Sequence, residues 1–233
     1  MSSEPIIIAI DGPSGVGKST VARGVARRLE LPYLETGAMY RALGWKIVQE
    51  DVDPEAQVPV EAIAATLELE LEDRADGSVE VLLEGQPLDA DIRLPRVSEV
   101  TSVTSSYPAV RRRMVALQRH FAQERGAVME GRDIGTRVFP DTPHKFFLTA
   151  PLEIRVQRRM AQLEQTGQGE LSLAAIEVEV ANRDKRDSQR QESPLTLDST
   201  YTVVETGELT AEQAIEVIVA AVAGPSPSPD GGC

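Results

Sequence analysis

The sequence predicts an α/β fold: a parallel sheet covered by helices and entered through a phosphate-binding loop. Three observations carry this. The apolar run Ile6-Ile7-Ile8-Ala9-Ile10 leads into Gly12-Pro13-Ser14-Gly15-Val16-Gly17-Lys18-Ser19-Thr20 and then into a helical stretch, Val21 to Leu29. Apolar strand-like segments then alternate with helix-period segments along the 233 residues, the rhythm of a sheet with helices on both faces. One strictly alternating stretch, Leu67-Glu68-Leu69-Glu70-Leu71, interrupts that rhythm as a small antiparallel β insert.

Taken in order, the first strand covers about Ile6 to Ile10 and the first helix Lys18 to Leu29. Pro32-Tyr33-Leu34 reads as a short connector into a second helix, Gly37 to about Glu50, which Asp51-Val52-Asp53-Pro54 breaks. Val60 to Leu67 is another short helix. The alternating stretch turns at Asp76-Gly77 and returns through Val79-Glu80-Val81-Leu82 before Gly85. Helical periods resume over Pro95 to Ser105 and Pro108 to Arg125, the second with proline in its first turn. Ala127-Val128-Met129-Glu130 and His144-Lys145-Phe146-Phe147-Leu148 are short buried strands, the former ending in an acid. A helix from Pro151 to Gln165, a flexible break at Thr166-Gly167-Gln168-Gly169 and a helix from Ser172 to Gln189 follow. Thr202-Val203-Val204 is the last strand and Thr210 to Ala223 the last helix, stopped by Gly224. Residues 224–233, rich in Pro, Ser and Gly, are expected to be a disordered tail.

The glycine-rich segment carries the first chemistry. Its glycines let successive backbone N–H groups curl around phosphate oxygens, and the following helix adds the partial positive charge of its N-terminus. Lys18 then reaches the β- and γ-phosphates, and the Ser19 hydroxyl is placed to ligate Mg²⁺. In its strand-to-helix context this is a P-loop, and residues Gly12 to Thr20 are expected to hold ATP.

Composition narrows the partners. With 41% hydrophobic residues the chain can bury a full core, and no apolar run approaches the ~20 residues of a membrane span. The single cysteine, Cys233, allows no internal disulfide, which fits a reducing, cytoplasmic setting; no secretory leader is expected. Net charge is −13, divided as −11 over residues 1–92, +5 over 93–190 and −7 over 191–233. That balance argues against general nucleic-acid binding and for one compact anionic ligand held by the arginine-rich middle. Nothing signals obligate oligomerisation, and a monomer is the default. His120 and His144 have no metal-ligand spacing around them and are read as structural or exposed. Trp45 is read as core packing.

A P-loop does not name the second substrate. No Asp-x-x-Gly occurs, and Asn182-Arg183-Asp184-Lys185 is not the Asn-Lys-x-Asp that would read guanine. What remains are arginines and acids in three settings: Thr36-Gly37-Ala38-Met39-Tyr40-Arg41, Gly131-Arg132-Asp133-Ile134-Gly135-Thr136, and Arg183 to Asp187 with Arg190. Arg41 and Arg132 suit fork-shaped hydrogen bonds to a monophosphate, with surface ion pairs as the ordinary alternative. Arg183 and Asp187, four apart, share a helical face; an i,i+4 surface pair worth a few tenths of a kcal/mol is their bland explanation. At the end of its strand, Glu130 is a candidate to hold a metal-bound water, with Asp11 a weaker one.

The segments IDGPSGVGKST, ETGAMYR, EGRDIGT and NRDKRDSQR, in this order and over nearly the whole chain, resemble bacterial cytidylate kinases. That resemblance implies transfer of a phosphoryl group from ATP, with Mg²⁺, to CMP or dCMP. It implies a P-loop core (1–35, 106–154 and 191–223), a monophosphate-binding domain (36–105) with its β insert near 67–88, and a lid with flanking helices (155–190). It puts Ser14, Thr36, Tyr40, Arg41 and Arg132 around the acceptor and Ser102, Arg111 and Asp133 on cytosine. Asp187 falls to the ribose hydroxyls, and Arg183 and Arg190 to ribose or phosphate. An ionised Asp133 would welcome the C4 amino group of cytosine and repel the C4 oxygen of uracil. Arg155, Arg158 and Arg159 are candidate lid arginines, a solvated helix face being the alternative; Arg158 and Arg159 join Lys18 and Arg132 in the expected catalytic set. Arg112 and Arg113 are expected to be largely solvated. Glu35-Thr36-Gly37 replaces the family's usual Asp-Ser-Gly but keeps a carboxylate and a hydroxyl. Other acceptors (UMP, AMP or a shikimate-like alcohol) and an ATP-hydrolysing regulatory protein remain alternatives.

Overall fold

The computed structural model describes residues 5–88, 91–123, 125–165 and 172–224. Its centre is a five-stranded, all-parallel sheet of β1 (Ile7–Asp11), β2 (Tyr33–Glu35), β6 (Ala127–Gly131), β7 (His144–Thr149) and β8 (Thr202–Glu205), ordered β2-β6-β1-β7-β8. β1 is central, with Ile10 opposite both Glu130 and Phe146. A P-loop after the central strand is thereby flanked by the ends of β6 and β7, where parallel sheets gather their ligands.

Side chains alternate across the pleat, so one sheet serves two cores. On one face Ile8, Ile10, Val128, Phe146 and Leu148 pack under α1 (Lys18–Leu29) and α8 (Ala211–Ala223). On the other, Ala9, Ala127 and Met129 meet Met39, Leu43 and Ile47 of α2 (Thr36–Gln49), together with α3 (Gln57–Thr66), α4 (Pro95–Thr104) and α5 (Pro108–Ala122). A third, smaller cluster, Val156, Leu163, Ile176 and Val180, joins α6 (Leu152–Gln165) to α7 (Leu173–Gln189). Trp45 lies against the second of these cores, as expected.

The insert is a three-stranded antiparallel sheet of β3 (Leu69–Asp73), β4 (Val79–Leu83) and β5 (Gln86–Pro87), with Gly77 in the left-handed region at its first turn. The third strand was not expected from sequence; two residues long, it carries no alternation to read.

Tyr33 corrects a second expectation. The connector Pro32-Tyr33-Leu34 is in fact the start of edge strand β2, paired with β6 through Tyr33–Val128 and Leu34–Met129. Its outward N–H donates to the Gly77 carbonyl of the insert at 3.0 Å, so the hairpin turn completes the bonding that a three-residue strand lacks. Arg113 also departs from expectation: half-buried, it donates to the Leu67 carbonyl at 3.3 Å. The expected break at Thr166 to Gly169 and the tail beyond Gly224 lie outside the described residues. No helix among the described residues is long and apolar enough to cross a membrane.

Candidate active site

The loop between β1 and α1 is shaped by backbone that only glycine accepts. Gly12 has φ 152°, and a β-carbon there would sit 2.3 Å from the Leu148 carbonyl oxygen. Gly15 and Gly17 have φ 79° and 91°. Val16 anchors the loop in the α1–α8 core. Lys18 opens α1 and is buried, its Nζ donating to the Pro13 carbonyl at 2.6 Å. Burial, reinforced by the Arg132 charge and opposed by Glu130, brings its pKa down to about 7. Phosphate oxygens at the loop would reverse that shift.

Around the loop the acids divide into two kinds. Glu130 accepts from the Tyr33 hydroxyl at 2.7 Å and keeps its second oxygen free of any described hydrogen bond, while its backbone carbonyl accepts from Thr36 at 2.7 Å. Asp11 is fully engaged instead. It accepts from the N–H groups of Ile134 and Gly135 at 3.0 and 2.9 Å and from the Tyr201 hydroxyl at 2.7 Å. Burial still raises its pKa, against the pull of those two N–H groups. Asp11 therefore fastens the π-helical turn at Ile134–Val138, which immediately follows Arg132 and Asp133, to the central strand. That role differs from the metal-water role weighed for it in sequence.

Beyond the loop lies a cluster of guanidinium groups and carboxylates, with Arg111 and Asp133 buried and Arg132, Arg183, Asp187 and Arg190 half-buried. Arg111 from α5 bonds Asp133 at 2.5 Å and the Ser105 carbonyl at 3.1 Å, and lies 5.3 Å from the centre of the Tyr40 ring. Burial pushes the Tyr40 phenol up to about 12. Arg132 bonds Asp187 at 2.7 Å. Burial alone would raise the Asp187 pKa, but Arg132 and Arg183 outweigh it and hold the carboxyl below its usual range. Arg190 approaches Asp133 and Asp187 at 3.6 and 3.8 Å and donates to the Ser193 carbonyl at 2.6 Å. Arg41 pairs with Glu35, which Arg93 also meets at 3.2 Å. Ser102 is half-buried on α4, its hydroxyl making no hydrogen bond among the described residues.

Two features show what this cluster lacks. Arg183 has no hydrogen-bond or ion-pair partner among the described residues; burial, and then the neighbouring Arg132 charge, lower its pKa to about 10. Among the described residues, buried polar atoms at Arg41 Nε and Arg111 Nε also have no hydrogen-bond partner, and Arg190 Nη2 has only its 3.6 Å approach to Asp133. Each such group costs about 1–3 kcal/mol until something accepts from it. Anionic and hydrogen-bonding ligand atoms would relieve that cost.

The expected lid arginines are placed as follows. Arg158 donates to the Val16 carbonyl at 3.3 Å and to the Thr206 hydroxyl and carbonyl at 3.1 and 2.6 Å, bracing the loop. Arg159 meets Gln162 and Glu179 at 3.2 and 3.1 Å. Arg155, buried, bonds the carbonyls of Ala150 and Ser14, both at 3.1 Å, and pairs with Asp184. Sequence reasoning passed over Asp184, Arg93 and Thr206. Asp184 was legible as an acid inside an arginine-rich helical segment, whereas Arg93 and Thr206 carried no signal.

No group of three or more His, Cys, Asp or Glu side chains able to hold a metal occurs among the described residues. Mg²⁺ needs no such group, because it keeps most of its shell as phosphate oxygens and water; the Ser19 hydroxyl in the first turn of α1 and the unbonded second oxygen of the buried Glu130 are donors of the kind it takes.

The family model described as cytidylate kinase matches residues 8–224. The cytidylate kinase of Symbiobacterium thermophilum is 42% identical over 92% of this chain and 94% of its own length. The bifunctional pantoate ligase/cytidylate kinase of Prochlorococcus marinus is 43% identical over 94% of this chain, which spans only 43% of that larger protein. The crystal structure of an uncharacterized protein from Eubacterium ventriosum aligns with a TM-score of 0.52 at 17% identity, over 95% of this chain and 100% of its own, a likeness of fold alone. Matched by that family model over residues 8–224 and 42% identical to a cytidylate kinase along nearly its whole length, the chain belongs to the cytidylate kinase family.

Proposed function

We propose that the chain transfers the γ-phosphoryl group of ATP to CMP or dCMP, giving ADP and the nucleoside diphosphate. The observation that carries this reading is Arg183, a guanidinium with no hydrogen-bond or ion-pair partner among the described residues, whose desolvation the Asp187 charge offsets only in part; it is set beside Arg132 and Lys18, where two phosphate groups would meet. Repulsion between two polyanions is the main obstacle to such a reaction, and fixed cations between them offset it.

In this reading Gly12 to Thr20 hold the donor phosphates, with Lys18 on the β- and γ-oxygens. Arg41, Arg132 and Arg183 hold the acceptor phosphate, whose anionic oxygen attacks in line, so no general base is needed. Mg²⁺, when bound, supplies charge neutralisation across the β- and γ-phosphates; Ser19 would hold it, and Glu130 would hold one of its waters. Asp133, fixed by Arg111, accepts from the cytosine amino group, Ser102 is assigned to the same base by the family resemblance, and Asp187 accepts from ribose hydroxyls. Residues 36–105 would form the acceptor half and 155–190 a closing lid, and we place the enzyme in the cytoplasm as a monomer. Because Arg158 is spent on the loop and Thr206, Arg159 is the lid arginine better placed to exchange its surface partners for a phosphoryl oxygen.

The test is an acceptor panel with ATP and Mg²⁺. CMP and dCMP should be converted well, UMP and AMP poorly, and ATP hydrolysis without acceptor should be slow. Preference for UMP or AMP, or hydrolysis indifferent to any monophosphate, overturns the reading.

A further inference from the structure

We propose that Asp184 is a positioning residue that couples the donor and acceptor sites by holding the peptide of Ser14 to helix α7, an inference that rests on the function proposed above. Ser14 lies in the P-loop, and both its backbone groups are taken by one buried ion pair. Its N–H donates to Asp184 Oδ1 at 3.1 Å, and its carbonyl accepts from Arg155 Nη1 at 3.1 Å. Arg155 closes the ring on Asp184 Oδ2. The Arg155 and Asp184 side chains are 10% and 22% exposed, shielded enough for their attraction to fix geometry.

What makes this pair more than a fastening is where its two ends lead. Asp184 is on α7, the helix that also carries Arg183, Asp187 and Arg190, three side chains of the acceptor cluster. Arg155 lies in the first turn of α6, and its backbone carbonyl is 2.8 Å from where a β-carbon on Gly15 would be. A change in the loop around Ser14 therefore moves α7, and a shift of α7 onto an acceptor moves the loop. Arg159–Glu179 also joins α6 to α7, but touches neither the loop nor the acceptor cluster. Linkage makes such coupling reciprocal: each nucleotide strengthens binding of the other by the same factor, typically 5- to 150-fold.

The experiment measures CMP affinity by calorimetry with and without a non-hydrolysable ATP analogue and Mg²⁺. Wild type, Asp184→Ala and Asp184→Asn are compared, after wild-type CMP phosphorylation has been confirmed. The wild type should bind CMP at least about fivefold more tightly with the donor analogue present. Asp184→Ala should bring that ratio close to one while changing CMP affinity alone less than about twofold, and Asp184→Asn, which keeps one acceptor for the Ser14 N–H, should lie between. A wild type that phosphorylates CMP but shows no donor effect overturns the coupling and leaves the function standing. A ratio unchanged in Asp184→Ala overturns it too, as does failure of both variants to fold, which would make the pair a folding requirement. Absence of CMP phosphorylation by folded wild type instead removes the function itself.

Discussion

Arg111 and Asp133 meet at 2.5 Å with 4% and 6% of their side chains exposed, so the Asp133 carboxylate is locked by a guanidinium from another element. Breaking one member of such a buried pair strands the other. Asp133→Asn keeps the shape but can both donate and accept, so it should lower kcat/KM for CMP and shrink the CMP-over-UMP preference by about tenfold or more. Kinetics with both acceptors check this; unchanged discrimination would remove Asp133 from base reading.

Arg183 predicts opposite effects on stability and activity. Desolvation and the Arg132 charge work against its cation, and Asp187 offsets them only in part. Arg183→Met should leave the melting temperature unchanged or raised. The loss of charge-assisted bonds of about 1.5–3 kcal/mol should lower kcat/KM for CMP by about 10- to 150-fold. A melting temperature that drops by many degrees would contradict the picture.

Lys18 ties donor binding to pH. Its pKa of about 7 in the free protein means that the amine loses its proton as pH rises through 7, whereas bound phosphate favours the charged form. ATP binding at pH 8 should therefore take up close to one proton, and affinity should weaken as pH rises from 7 to 9. Calorimetry in two buffers of different ionisation heat measures the uptake; none at pH 8 would refute it. Lys18→Ala should abolish both the uptake and transfer while sparing CMP binding.

Asp11 should matter to the fold before it matters to the reaction. Asp11→Asn keeps one acceptor but turns its NH2 on either the Ile134 N–H, now bonded to Oδ1, or the Gly135 N–H and Tyr201 hydroxyl, now bonded to Oδ2. A loss of about 2–4 kcal/mol is expected in denaturant unfolding. Near-normal stability would mean that the turn carrying Asp133 is fixed by other contacts.

Long periodic elements were readable because their period is local: α1 runs Lys18–Leu29, as its spacing indicated, and helices α4 to α8 agree to within a residue or three. Tyr33–Glu35 was not, because a three-residue edge strand is defined by its neighbours, the β6 backbone and the Gly77 carbonyl. The same holds within the site. The loop glycines announce themselves through the backbone shapes they permit. Arg158 and Arg159, however, are equivalent in sequence, and only the fold turns one toward Thr206 and the other toward Glu179. Asp184 was visible as an acid among arginines, but its bond to the Ser14 N–H crosses 170 positions of chain.

The carbonyl that the insert turn offers to the Tyr33 amide has a further result. It caps the rim of the parallel sheet where another polypeptide could dock by strand addition, leaving at the opposite rim only the four residues of β8, which end in Glu205. The insert hairpin thus also guards the parallel sheet against edge-to-edge association.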